Sequence, residues 1–344
     1  MNFERQAQFA AFAKAGIHLP GVEGFYTDMA MDSQTSLITT GSSGIPAYLA
    51  NYIDPNLIEI ITAPNKAAKI LGESKKGDWT TSTLTFPVVE YTGEVSSYGD
   101  YNQNGSTGVN TNFPQRQPYH YQTITQWGER QLEVAALAKI DYASRANIAS
   151  VNVLNKYQND IYFYGVAGLQ NYGLLNDPAL SAALVPGIKA FNAGTGPWLT
   201  AGNVTATATE IYADIQALFT QLTAQTNGLV DMDAKMVLAL SPTSSVALLT
   251  TNQYNVNVND MLRKNFPNIR VETAPQYIST GAGNLVQLIV EQFDGQDVAT
   301  CVFTEKLRTH AIIRDLSSYK QKKSQGAAGA VIFRPMAISQ MIGV

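Results

Sequence analysis

The strongest constraint on the fold is a long stretch, 129–164, that contains neither proline nor glycine. Its small and apolar residues recur at steps of three and four, which is the spacing of one helix face. The stretch therefore predicts a single helix, about 54 Å long at 1.5 Å per residue, that ends at Gly165 or Gly168. Its alanine-rich stripe lacks a heptad, which favours a brace across a large flat body over a coiled coil. The residues of the stripe are Leu132, Ala136, Ile140, Ala143, Val151, Leu154 and Ile161.

Two β-rich segments precede this helix, at 79–91 and 119–127, and both are rich in β-branched and aromatic residues. The stretch between them, 92–112, is polar and rich in Gly, Asn, Ser and Tyr. This pattern predicts a long hairpin or two-stranded projection with a mobile tip. An isolated two-stranded ribbon is marginal in water, so we expect it to pack on a neighbour.

Residues 1–70 are typical of an extended arm, because Gly and Pro interrupt them often and their apolar residues are scattered. Short helices are expected at 2–15 and at 64–72. Such an arm cannot bury a core by itself and needs another surface to lie on.

Residues 200–305 have the pattern of a compact α/β unit. Thr207 and Glu210 form a capping box at the start of one helix, and Ser241-Pro242 starts a second after a buried strand. Asp294-Gly295 marks a turn between the last two strands. The strands are expected at 236–240, 269–272, 285–291 and 298–304, with a short helix at 258–266.

Residues 306–344 return to β character, and 327–333 and 336–342 are expected to be closing strands of another sheet. The segment begins with basic residues at alternate positions, which gives a strand one basic and one apolar face. The basic set is the best candidate functional patch, and two interpretations remain open: a solvated strand face or a contact between subunits. Its members are Lys306, Arg308, Arg314, Lys320, Lys322 and Lys323.

The amino-acid composition excludes several classes of function. Only 15% of the 344 residues are charged, against about 25% in an average soluble domain, which suits a surface that ends against other protein. A net charge of −4 argues against a protein that binds nucleic acid by neutralising phosphates. The single cysteine, Cys301, excludes an internal disulfide framework. No apolar run is long enough for a membrane span, and no signal peptide is evident, so we expect a cytoplasmic location.

The sequence does not match the motifs of known catalytic sites. The segment 72–77 has the spacing of a phosphate-binding loop, but Asp78 stands where lysine is required. His18, His120 and His310 have no partners at metal-ligand spacing. We therefore expect no catalytic, cofactor-binding or metal-binding residues and no enzyme activity. The alternative of an α/β enzyme built on 200–305 would need a nucleophile elbow or a clustered acid–base pair, and neither is evident.

The order of these parts resembles the major capsid protein of tailed double-stranded DNA bacteriophages with the Hong Kong 97-type fold. Two phrases add to the resemblance: 86–101 is similar to the hairpin of one capsid subfamily, and 168–178 is similar to the turn after the spine helix. The resemblance implies an α+β fold with five parts. These are an N-terminal arm (1–75), an E-loop β-hairpin (76–127), a peripheral domain with a long spine helix (128–190), an axial α/β domain (191–305) and return strands of the peripheral domain (306–344).

The function implied by the resemblance is structural: hexamers and pentamers that self-assemble into an icosahedral shell around double-stranded DNA, without sequence-specific binding. The implied location is the virion capsid, assembled in the host cytoplasm. Expected partners are further copies, a scaffolding protein, a portal and, as a further candidate, a decoration protein; no cofactor and no membrane are expected. An encapsulin-like nanocompartment shell is the main alternative, and a tail or decoration protein is another. The residues expected at contacts between subunits are Tyr98, Tyr101, Phe113, Lys306, Arg308 and Arg314.

Overall fold

Two four-stranded sheets and a long helix organise the chain. The computed structural model describes residues 65–137, 141–191, 196–200, 202–278 and 283–344. The helix expected at 2–15, most of the expected N-terminal arm and His18 lie outside these residues.

The described helices differ greatly in length. They are α1 (Ala67–Leu71), α2 (Glu129–Leu137), α3 (Tyr142–Tyr164), α4 (Ala208–Gln225), α5 (Pro242–Ser245) and α6 (Val258–Asn265). Short 3-10 helices occur at Val246–Leu249, Pro275–Tyr277 and Pro335–Ala337.

The described strands include two that are much longer than the rest, β14 and β15. In chain order the strands are β1 (Glu73–Lys75), β2 (Leu84–Thr85), β3 (Val88–Glu94), β4 (Ser106–Asn112), β5 (Gln115–Arg116), β6 (Tyr119–Gly128), β7 (Leu199–Thr200), β8 (Asn203–Val204), β9 (Met236–Leu240), β10 (Ile269–Thr273), β11 (Leu285–Val290), β12 (Gln292–Phe293), β13 (Gln296–Asp297), β14 (Ala299–Asp315), β15 (Ser318–Ile332) and β16 (Ile338–Ile342).

The first sheet, called here the long sheet, has the order β1-β14-β15-β6. Strand β1 pairs parallel to β14, and the other pairs are antiparallel. Helix α3 covers one face, where the rings of Tyr121 and Tyr157 meet edge to face at 4.8 Å. On the same face the Tyr121 hydroxyl donates to Gln325 Oε1 at 2.8 Å. The helix is thus a brace, as its sequence predicted.

The prediction of one continuous helix over 129–164 was wrong. Asp141 has φ −80° and ψ 79°, outside the helical region, and its side chain accepts a hydrogen bond from the Ser144 N–H. Aspartate caps a helix N-terminus well and is a weak former of helix interiors, so the chain starts a new helix there. The predicted end was correct: Gly165 has φ +65°, and a Cβ there would lie 2.2 Å from the Asn171 carbonyl oxygen.

The second sheet, called here the short sheet, has the order β10-β9-β11-β16. Strand β10 pairs parallel to β9, and the remaining pairs are antiparallel. Every residue of β9 is buried. Helix α4 begins at the predicted capping box, in which Thr207 and Glu210 bond reciprocally. The residues of α4 that are buried in the core include Ile211, Ile215, Leu218 and Leu222.

The expectation that 306–344 would consist of return strands of the peripheral sheet was wrong for β16. It pairs with β11 in the short sheet, with Leu285 opposite Ile342. The 3-10 helix at Pro335–Ala337 lies between β15 and β16 and redirects the chain. In addition, β14 already enters the long sheet at Ala299, before the expected boundary at 306.

The expected hairpin between 79–91 and 119–127 also differs. Strand β3 pairs with β4, which lies inside the stretch expected to be a mobile tip. Strand β6 pairs with β15 instead. The polar sequence of β4 has low β-propensity, and its pairing with β3 supplies the backbone hydrogen bonds that override this preference.

A buried charge cluster holds the segment before β7 against α4. Asp214 of α4 accepts hydrogen bonds from Lys189 Nζ (2.5 Å), Trp198 Nε1 (2.7 Å) and the Gly187 N–H (3.0 Å). Both charged side chains are buried. Each charge compensates the other at a buried site where an unpaired charge would strongly lower the stability of the fold.

We expect Asp214→Ala to lower the free energy of unfolding by about 3–5 kcal/mol, because it leaves the Lys189 ammonium buried without a counter-charge. Urea unfolding of the unassembled protein measures this. The exposed loop variant Asp231→Ala is the control and should change stability by less than about 0.5 kcal/mol. Adding Lys189→Met to Asp214→Ala should recover part of the loss. A loss of under about 1 kcal/mol in the single variant would contradict a compensated buried pair.

Candidate functional site

The most unusual surface is a projecting two-stranded ribbon, defined here as residues 88–112, which comprises β3, β4 and their connection. All seven residues of β3 and all seven of β4 are exposed. Several of them are large and apolar, and the Tyr91 side chain is 86% exposed. A ribbon of this kind is marginal in water, and exposed apolar groups of this size indicate a partner surface.

The ribbon has two chemically different faces. Residues on a strand alternate between faces, and Tyr91 lies directly opposite Val109. Val89, Tyr91 and Val109 therefore share one face, the apolar face. Glu90 and Glu94 lie on the other.

The predicted contact residues of the ribbon are the aromatic residues at its tip and base. Tyr98 is 93% exposed and Tyr101 is 100% exposed. The Tyr98 hydroxyl donates to Asp100 Oδ1 at 2.9 Å within the tip. Phe113 follows β4 at the base and is also exposed. All three side chains are available to another chain, and their role in a subunit contact stays a prediction.

The predicted contact residues of β14 already have partners within the chain. Lys306 forms an ion pair with Glu73 and lies over the Phe303 ring. The guanidinium of Arg314 donates to Glu129 Oε1 at 2.8 Å. The six predicted residues therefore belong to two separate groups, one on the ribbon or directly after it and one on β14.

The remaining lysines of the basic set do not form one surface either. Lys320 pairs with Asp315 at 2.6 Å, and Lys322 is exposed. Lys323 is buried beneath α3, where its ammonium donates to the Asn147 carbonyl and side chain and to Ser150. Burial lowers the pKa of Lys323. The interpretation of the whole set as one solvated strand face is wrong for Lys323.

A stack of three side chains lies on the face of the long sheet opposite α3. The His120 ring meets the Trp79 ring edge to face at 4.6 Å, and Arg308 lies 5.4 Å over the same indole. His120 Nε2 is 3.3 Å from Thr304 Oγ1, and burial lowers the pKa of His120. Sequence reasoning did not bring these residues together, because they lie on three segments that are distant along the chain.

The described residues offer little for catalysis. No group of three or more metal-ligating side chains occurs among them. Cys301 is fully buried, and burial raises the pKa of its thiol, so it packs as a small apolar residue. Among the described helices, none has the length and apolar character needed to cross a membrane.

The comparisons with known proteins decide the family. A family model described as Pa193 gp26 major capsid protein matches residues 36–343. The chain belongs to this major capsid protein family. It is a structural protein of a phage capsid shell, and its place is the virion capsid. No curated protein matches the sequence.

Solved capsid structures are similar to this major capsid protein in fold. The capsid of Myoviridae phage XM1 matches with a TM-score of 0.71 and 15% identity, over 88% of this chain and 100% of that one. The capsid of cyanophage P-SCSP1u matches with a TM-score of 0.56 and 11% identity, over 88% and 95%. The α+β Hong Kong 97-type fold is thereby confirmed, and the encapsulin-like alternative is less supported.

We expect the acid stability of this capsid protein to depend on His120. Its folded pKa lies below its usual value of 6.5, so the folded state binds fewer protons than the unfolded state as the pH falls. The stabilising contribution is complete above 6.5 and is lost as the pH falls towards the folded pKa. Urea midpoints at about pH 7.5 and about pH 5.5 measure the loss.

We expect the urea midpoint of His120→Gln to fall less between the two pH values than the urea midpoint of the wild type. Gln122→Ala, an exposed substitution on the same strand, is the control and should keep the wild-type decrease. An unchanged decrease in His120→Gln would contradict the assignment.

Proposed function

We propose that this capsid protein assembles as hexamers and pentamers into a closed icosahedral shell around double-stranded DNA, with each ribbon lying across a neighbouring copy. The observation that carries the proposal is the ribbon, whose fourteen strand residues are all exposed. A monomer gains nothing from such a ribbon, whereas a closed shell repeats each weak contact at every symmetry-related position.

The charge of the ribbon supports a basic contact surface on the neighbouring copy. The ribbon contains three acidic residues, Glu90, Glu94 and Asp100, and no Lys or Arg. The segment 305–323 contains six Lys and Arg residues, of which Lys306, Arg314 and Lys320 are paired within the chain and Lys323 is buried. Arg308 and Lys322 are exposed and have no ion pair among the described residues. Opposite charges favour this pairing and disfavour two ribbons side by side.

The face of the long sheet that α3 leaves uncovered fits the ribbon in polarity. Ile124 of β6 lies directly opposite Lys322 of β15, so both share this face, and both are exposed. Arg308, opposite Ser324, lies on the same face. We assign the apolar face of the ribbon to Ile124 of the neighbouring copy. The acidic residues lie on the far face of the ribbon, and we expect the long side chains of Lys322 and Arg308 to reach past the ribbon edge to them.

The outer edge of β6 supports a covering chain at this place. Strand β6 is an edge strand of the long sheet, and its ten residues include no charged residue and no proline. Monomeric proteins protect long edge strands with charges, prolines or bulges. Within the described residues no strand pairs with this outer edge, so assembly is the means by which we expect it to be protected.

The other expected partners follow from the capsid role. Assembly in the host cytoplasm would involve a scaffolding protein and a portal, with a decoration protein as a further candidate on the finished shell. The net charge of −4 suits a container whose wall should not hold packaged DNA tightly.

The first test compares two substitutions of adjacent residues on opposite faces of the ribbon. Val89 lies on the apolar face and is 48% exposed, and Val88 lies on the other face and is 43% exposed. We expect Val89→Ser to raise the protein concentration needed for shell assembly about tenfold, because a buried valine contributes about 1.5 kcal/mol or more per contact. Electron microscopy and sedimentation of the protein co-expressed with its scaffolding protein measure this.

Val88→Ser is the matched control and should assemble like the wild type. Both variants should keep the wild-type melting temperature of the free subunit, since neither residue is buried. Equal assembly of the two variants would contradict docking through the apolar face. Wild-type protein that forms no closed shells under these conditions would contradict the proposed assembly itself.

The second test exchanges charges between the two surfaces. We expect Glu90→Lys to weaken assembly, since it places a positive charge against Lys322 and Arg308. Adding Lys322→Glu to the same chain should restore part of the assembly. The loss caused by Glu90→Lys should also become smaller at high salt, because salt screens exposed charges.

Val88→Lys is the control, because it places a positive charge on the same face of the ribbon without removing Glu90. We expect Lys322→Glu to restore less assembly in Val88→Lys than in Glu90→Lys, since Glu90 is the assigned partner of Lys322. Failure of Lys322→Glu to rescue Glu90→Lys would contradict the assigned contact.

A further inference from the structure

The ribbon tip carries one of the two Asn-Gly pairs in the sequence. Asn104-Gly105 lies in the connection between β3 and β4, and Asn227-Gly228 follows α4. Asparagine before glycine is prone to spontaneous deamidation, because glycine has no Cβ to hinder attack by its backbone nitrogen on the asparagine side chain. The two pairs differ in whether the backbone N–H of the glycine donates a hydrogen bond.

At Asn227 the attacking nitrogen is already engaged. The Gly228 N–H donates to the Thr223 carbonyl oxygen at 2.9 Å, in the turn that ends α4. This hydrogen bond must break before the nitrogen can attack. Its net strength alone slows the reaction by about two- to tenfold.

At Asn104 the attacking nitrogen is free. No hydrogen bond in the described part of the chain uses the Gly105 N–H. The backbone of Asn104 itself is held, since its N–H donates to Asn102 Oδ1 at 3.0 Å and its carbonyl oxygen accepts from Ser96 Oγ at 2.6 Å. Asn104 is also exposed, so water reaches the side-chain amide and the product.

We propose that Asn104 is a site of spontaneous modification, which converts the ribbon tip from amide to carboxylate as the protein ages. The Gly105 nitrogen bonds to Cγ of Asn104 and loses its proton, while the bond from Cγ to Nδ2 breaks. The departing amide nitrogen takes up a proton and leaves as ammonia. Water then opens the resulting succinimide at either carbonyl and yields aspartate or isoaspartate.

The product changes the surface on which the ribbon depends. It adds a fourth acidic residue to the three already present between 88 and 112. The isoaspartate form also inserts a methylene group into the backbone beside the bond between Ser96 and Asn104. Subunits of different age thus carry ribbon tips of different charge and shape.

The test uses the full-length unassembled protein, incubated in warm, mildly alkaline buffer and digested at intervals for peptide mass spectrometry. We expect the peptide with Asn104 to gain the acidic product at least about twofold faster than the peptide with Asn227. We also expect isoaspartate in that product, because only the succinimide route forms it. Equal or slower conversion at Asn104, or a product without isoaspartate, would overturn the proposal.

Two variants separate the chemistry from a general change at the tip. Asn104→Gln should stop the reaction at the tip, since its longer side chain does not close the same five-membered ring, and conversion at Asn227 should continue unchanged. Gly105→Ala should slow conversion at Asn104, because a Cβ hinders the attack. Conversion at Asn104 that is as fast in Gly105→Ala as in the wild type would overturn the assigned route. The measurement needs no assembly, so its result is independent of where the ribbon docks.

Discussion

The pairing of β15 with β14 on one side and β6 on the other is the interaction on which the remaining structure depends. Residues 323–332 of β15 are all buried, and most of them are small. A Cβ on Gly326 would lie 2.3 Å from Thr304 Oγ1, and Gly329 has φ +79° with the Tyr172 carbonyl oxygen at 2.2 Å from the position of a Cβ. Only glycine fits at these two positions, and their occupation lets neighbouring segments approach the sheet closely.

The same sheet explains why the protein is suited to a shell. One face is covered by α3, and β16 continues from β15 into the short sheet, so both sheets are tied by one run of chain. The part of the opposite face around Ile124 and Lys322, the outer edge of β6 and the ribbon remain exposed among the described residues. An isolated subunit exposes apolar and unpaired backbone groups there, and the membership of a major capsid protein family accounts for surfaces that a monomer would have to protect.

Much of the fold could be predicted because local signals agreed with the tertiary structure. The capping box at Thr207, the buried strand Met236–Leu240 and the end of the long helix at Gly165 were all predicted where the structure has them. The break at Asp141 was missed because apolar periodicity continues across it, and a single capping side chain outweighed that pattern. The partner of β3 was missed because strand pairing depends on backbone hydrogen bonds that composition does not reveal. At the candidate site, the exposed tyrosines of the ribbon were foreseen, whereas the stack of Trp79, His120 and Arg308 was not.

The sequence by itself determined the class of protein: a projecting two-stranded element, a bracing helix and an α/β unit, with too little charge for a crowded free monomer. These features depend on residues that are neighbours along the chain, and so they can be read locally. The tertiary structure alone decided which residues of the basic set are available. Lys323 is buried under α3, Lys306 and Arg314 are paired, and Lys322 is exposed. The physical reason is that the environment of a charge is set by segments that meet only when the sheets form.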